Sequence, residues 1–270
     1  MMPAITKFYW MPKFLGAIFL LFITCNLQAQ SWEIGGFLGG AGYMGDLNQT
    51  NPIKVSGPAI SAMVKYNFDP YFSAKLNYTY GTISGADSTS SNAQQRLRNL
   101  SFTTQISEIS VTGEFNFLKY VPSISHSLYT PYIYAGFALA GYNPQATYNG
   151  QVYNLRPLET EGETKPYSKT TISIPYGAGV KYNFAGAWTL SADIGYRNTN
   201  TGYLDDVNGV YPDKSKLSPL SAILSDRSGE NTGIYIGTPG TQRGDGSGRD
   251  TYLFVGFTLS FTFITAKCYY

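Results

Sequence analysis

The sequence predicts an all-β protein: one eight-stranded antiparallel transmembrane β-barrel of the outer-membrane type, with long extracellular loops. Three observations predict it. Polar and apolar residues alternate in eight segments, plainly in six and more weakly in two, each near the 9–11 residues that a tilted membrane strand needs. Every charge inside those segments lies on the face opposite the aromatic and aliphatic row. The connections between them alternate long and short, as in outer-membrane barrels. Composition agrees, with 13% charged residues, 16% aromatic residues and 29 Gly, where soluble domains carry roughly 25% charge. That balance excludes a disordered chain. A net charge of +2 argues against a nucleic-acid binder, which needs a basic patch, and two Cys cannot build a disulfide framework.

Residues 1–29 read as a secretory signal peptide. Lys7 and Lys13 supply a positive start, residues 14–25 an apolar stretch, and Leu27-Gln28-Ala29 a small-residue end that places cleavage after Ala29. The apolar stretch falls short of the ~18 residues of a spanning helix. Of 19 Lys and Arg, two leave with the leader, so 17 stand against 17 Asp and Glu. Residues 30–270 form a single barrel domain with a C-terminal periplasmic tail. Its strands are expected at 32–43, 60–68, 72–80, 107–117, 132–142, 174–184, 188–196 and 253–263. In the third, Phe72, Ala74, Leu76, Tyr78 and Tyr80 share one face, with Ser73, Lys75, Asn77 and Thr79 on the other. The first and fifth replace bulk with Gly and Ala.

The strand charges are Glu33, Lys65, Lys75, Glu108, Glu114, Lys181, Asp193 and Arg197, four of each sign. Arg or Lys facing mid-bilayer costs about 2–4 kcal/mol, so these residues are expected in the lumen as a network that closes the barrel. Eight strands enclose a lumen that side chains just fill, which argues against a diffusion pore. The long connections (45–55, 83–102, 143–170 and 198–250) are expected outside and the short ones (69–71, 119–129 and 185–187) in the periplasm. Lys65-Tyr66-Asn67-Phe68, Glu114-Phe115-Asn116-Phe117 and Lys181-Tyr182-Asn183-Phe184 each close a downward strand. With Phe72 and Trp188 their aromatics make an interfacial girdle.

Candidates for chemistry are few, and no catalytic residue, metal site or cofactor is expected. His126, between Ser125 and Ser127, lacks an acid to orient it and falls on the periplasmic side. Asp205-Asp206 with Asn208 lacks the spacing of a Ca²⁺ loop. Residues 237–250 are expected to be flexible from their glycine content. Arg243-Gly244-Asp245 matches an adhesive tripeptide that arises readily by chance, and Gly244, Gly246 and Gly248 lack the strand–helix context of a nucleotide fingerprint. Cys268 is left unpaired in an exported chain, which suggests an intermolecular disulfide or an inert thiol.

Several stretches resemble PorG-type outer-membrane barrels of the type IX secretion system: Trp32-Glu33-Ile34-Gly35-Gly36, Tyr43-Met44-Gly45-Asp46-Leu47, Ile174-Pro175-Tyr176-Gly177-Ala178-Gly179, and the loop Tyr203-Leu204-Asp205-Asp206-Val207. The terminal strand followed by a Cys resembles them too. The resemblance implies an outer-membrane location in a Bacteroidetes-type bacterium and no catalytic activity. It also implies partnership with a periplasmic ring lipoprotein and ring subunits, with both termini periplasmic. The other reading is a free-standing barrel of the OmpA or OmpX kind whose surface loops adhere or protect.

Overall fold

The computed structural model describes residues 30–263; the leader and Cys268 lie outside the described residues. Eight long strands appear where alternation predicts them: β1 (Ser31–Met44), β2 (Val55–Asn67), β3 (Phe72–Ala86), β4 (Ser101–Asn116), β5 (Tyr129–Tyr148), β7 (Thr170–Ala185), β8 (Trp188–Thr199) and β9 (Thr251–Phe263). Each pairs antiparallel with its neighbours, β1 with β9 and β4 with β5, so the sheet closes on itself with no free edge. Each extends past the predicted bounds at one end or both, although β2 and β4 stop one residue early at their C-terminal ends, because paired backbone continues beyond the lipid-facing stretch that alternation detects.

The short strand β6 (Gln151–Asn154) folds back on the tip of β5. Sequence places this stretch in a loop, although its turn was legible. Asn149 and Gly150 both have positive φ, 50° and 77°, which is the requirement of a tight hairpin and the reason Asn-Gly is favoured there.

The barrel is inverted relative to a soluble sheet. Ile34, Leu38, Leu76, Val111, Ile174 and Leu259 stand exposed on its outer wall. Glu33, Lys65, Thr79, Glu108, Thr112 and Glu114 are buried inside. An apolar outer wall of this extent is what strands facing hydrocarbon need and what water penalises. At the short-turn end, aromatic pairs ring the rim: Trp32–Tyr66 at 4.9 Å, Phe72–Phe115 at 5.0 Å and Trp188–Phe261 at 5.1 Å between centroids. Close packing of the wall dictates some glycines. Gly39 faces Gly256 across β1 and β9, and a Cβ on Gly39 would strike the backbone of Val255.

Closure predicts a gel behaviour. The unboiled protein should migrate apart from the boiled one, since a sheet without edges resists detergent until heated. Identical migration would contradict the closed barrel.

Candidate functional site

Two layers of polar side chains fill the molecule, one within the lumen and one capping its long-loop end. The lumen layer follows from strand phase. Glu33 and Lys65 are direct cross-strand partners on β1 and β2, and their side chains meet at 2.8 Å. Lys65 and Lys75 also lie directly opposite each other, a like-charge pairing that is unfavourable alone. Glu114 resolves it. Its carboxylate stands 2.8 Å from Lys75, 2.8 Å from Lys181 and 3.6 Å from Lys65. Lys181 also donates to Asn116 at 2.9 Å.

Higher in the lumen, Glu108 accepts from Tyr252 at 2.6 Å and from Arg197 at 3.3 Å. Asp193 accepts from the Tyr132 and Tyr134 hydroxyls at 3.0 and 3.3 Å. The ammonium of Lys181 rests 4.4 Å from the Tyr132 ring centroid. All eight strand charges thus point inward, four of each sign. The cavity among them is about 40 Å³, room for only a few waters. Below it Tyr120 turns in from the 117–128 connection, its hydroxyl 2.7 Å from that of Thr189.

The second layer is built by the connections at the long-loop end. Leu204 is fully buried, and with Val207 it packs on Leu47, Ile83, Phe102 and Ile106 across the barrel mouth. Its carbonyl accepts from Thr104 at 2.6 Å, and its N–H donates to Asp250 at 2.9 Å. Asp206, with positive φ, accepts from Tyr167 at 2.6 Å and Thr160 at 2.5 Å. Tyr203 stacks on Tyr167 at 4.5 Å. The run Tyr203-Leu204-Asp205-Asp206-Val207 is therefore the stopper of the barrel.

Two arginines tie the loops together. Arg98, at the end of the helix α1 (Ala93–Arg98), makes a two-pronged contact with Asp87, both bonds at 2.7 Å. It also donates to the backbone carbonyls of Asp46 and Arg243. Arg243 is 3% exposed and donates to Glu161 at 2.9 Å and to the Asp206 carbonyl at 2.6 Å. This corrects the expectation of a flexible 237–250 segment. Glycine content describes the isolated chain, whereas Arg243 and the packing of Gly244 against the Asn208 backbone hold this one. Buried in that contact, Arg243 is not presented as part of an adhesive tripeptide.

Asp205 has partners that spacing could not reveal. Asp46, Asp205 and Asp250 are all buried, with one carboxylate oxygen from each lying within 4.8 Å of the other two. Among the described residues this is the one grouping of metal-ligating side chains. A hard cation such as Ca²⁺ wants six to eight oxygens, and here the carboxylates already accept from the chain. Asp205 takes the Tyr43 hydroxyl at 2.5 Å and the Val207 N–H at 2.9 Å. Asp46 takes the N–H of Asp245. The chemistry is that of carboxylates sharing protons. Burial, then the nearby charge of Asp245, pushes Asp46 up to about 7. Burial and the neighbouring carboxylates hold Asp205 and Asp250 well above their ordinary range. One signal was available in sequence, since Asp250 is in phase with the inward Tyr252.

His126 is exposed in the short-turn connection. The hydroxyl of Ser125 donates to the Ser127 carbonyl and accepts from the Val121 N–H, so its proton is directed to the backbone.

Comparison with solved structures finds low likeness. The N-terminal β-barrel domain of Pseudomonas aeruginosa OprF is 14% identical with a TM-score of 0.37, the match covering 87% of this chain and 99% of that one. Neisserial surface protein A is 11% identical at 0.39, covering 87% and 97%. A major outer membrane protein from Thermus thermophilus is 12% identical at 0.40, covering 87% and 100%. The strand pairings by themselves close the barrel. No curated protein matches the chain. Residues 12–228 match the family described as "Domain of unknown function (DUF6089)", and the chain belongs to that family.

Proposed function

We propose that this protein is a non-enzymatic outer-membrane barrel that anchors, or helps to assemble, the type IX protein secretion machinery. In this reading the long loops face outside, both termini are periplasmic, and the short-turn end meets a ring lipoprotein and ring subunits. The closed lumen carries the proposal. With Glu114 holding three lysines and Leu204 stoppering the mouth, the barrel offers no passage, so it acts through its ends. The sequence resemblance supplies the system. The 117–128 connection offers Ile124 and Leu128, both exposed, as apolar contacts at the short-turn end. Cys268 adds a proposed covalent tether.

Affinity capture of the tagged protein from native membranes tests this. A ring lipoprotein and a ring subunit are expected to co-purify, with a higher-mass adduct on non-reducing gels that Cys268→Ser removes. Recovery of the barrel without either ring partner overturns the anchor reading. Absence of any adduct in the unsubstituted protein, with both partners retained, makes the contact non-covalent.

A further inference from the structure

We propose that the cleft at the long-loop end, between the 46–49 turn, α1 and the 236–245 segment, binds a neutral oligosaccharide. The cleft has a volume of about 620 Å³, within the roughly 300–1,000 Å³ range of ligand sites. Its rim carries the exposed amides of Gln49, Asn92, Gln94 and Gln242. A primary amide both donates and accepts, which matches the paired hydroxyls of a sugar ring. Leu97 and Ile236, exposed in the same wall, provide apolar surface for the C–H face of such a ring.

Charge decides against an anionic ligand. Arg98 and Arg243 reach the cleft, but their charges are committed to Asp87 and Glu161, and the other charged groups of the lining, Asp46 and the exposed Asp245, would repel an anion. Tyr211 points to a missing partner. It lines the cleft at 4% exposure, and its buried hydroxyl has no hydrogen-bond partner. A buried hydroxyl left unmatched is unfavourable, and a small turn of the Tyr211 side chain toward a sugar hydroxyl in the cleft would satisfy it. This inference is independent of the secretion-anchor reading, because binding to purified protein needs no ring subunit.

The test uses the full barrel in lipid nanodiscs or in an amine-oxide detergent, since maltoside headgroups would occupy the cleft. An array of neutral gluco-, manno-, galacto- and N-acetylglucosamine oligosaccharides is screened, and hits are titrated by calorimetry. Saturable binding of at least one neutral series is expected. Gln94→Ala with Gln242→Ala should weaken it roughly tenfold, the equivalent of about 1.4 kcal/mol for the two lost amides. Tyr211→Phe should weaken binding several-fold without lowering the unfolding midpoint, which separates a ligand-facing hydroxyl from a structural one. The proposal is overturned if no neutral oligosaccharide binds, if binding survives the double substitution, or if only charged glycans or peptides bind.

Discussion

Glu114→Ala is expected to lower the stability of the barrel by about 3–5 kcal/mol, the range for removing one partner from a buried charge set. The reason is local and countable. Glu114 stands within 2.8 Å of Lys75 and Lys181 and 3.6 Å of Lys65, and without it the cross-strand Lys65–Lys75 pair faces Lys181 with only Glu33 and Asp193 left nearby. Lys75→Met should cost much less. Lys75 is the more exposed of the three, and its loss leaves Glu114 paired twice. Combining Lys181→Met with Glu114→Ala should recover part of the loss, because neighbours in one network are not additive. Urea unfolding in liposomes, followed by heat-modifiable migration, measures all three. A Glu114→Ala barrel within 1 kcal/mol of the parent would remove the network from any structural role.

Acidification from pH 8.5 to 5.5 is expected to tighten the stopper over the barrel mouth, against the usual trend for carboxylates. Asp46 has a folded-state pKa of about 7, against an ordinary value of 3.8. The folded protein therefore holds this proton more tightly than the opened one. The sign follows: stability is lost as pH rises from about 4 through 7, and is fully present below that window. The whole window corresponds to on the order of 4 kcal/mol, about half of it gained between pH 8.5 and 5.5, and Asp205 and Asp250 shift in the same direction. The groups facing the cluster are the Tyr43 hydroxyl, Asp245, Arg98 and, further off, Glu161. Asp205→Asn should strengthen the stopper at pH 8.5 and flatten the pH dependence, since an amide keeps the bond from Val207 and adds a donor toward Asp250. Amide exchange at residues 204–207, corrected for intrinsic rates, reports it. Equal or weaker protection at pH 5.5 would refute this account.

Much of the barrel is legible along the chain because each wall residue answers to one local rule. A strand between lipid and a polar lumen must alternate, so Phe72 to Tyr80 declare their faces two residues at a time. The same phase places Glu33, Lys65, Glu108 and Lys181 inside before any partner is known. Which of them meet is a different matter. Glu114 reaches Lys65 and Lys181 across strands far apart in sequence, and that depends on barrel radius and stagger.

The loops are the least legible part of the chain. Asn149-Gly150 announces a hairpin that alternation alone overlooks. The glycines of 237–250 suggest freedom that Arg243 removes by reaching Glu161, 82 residues away.

By itself, then, the sequence determined the eight strands, their two faces and the neutrality of the lumen, since lipid and water act on each residue separately. Only the tertiary structure decided that Asp46, Asp205 and Asp250 share one buried site, and that Tyr203 to Val207 form a stopper. It alone decided, too, that Gln94 and Gln242 face one cleft. Those facts depend on distances between segments far apart in the chain, and no local period encodes them.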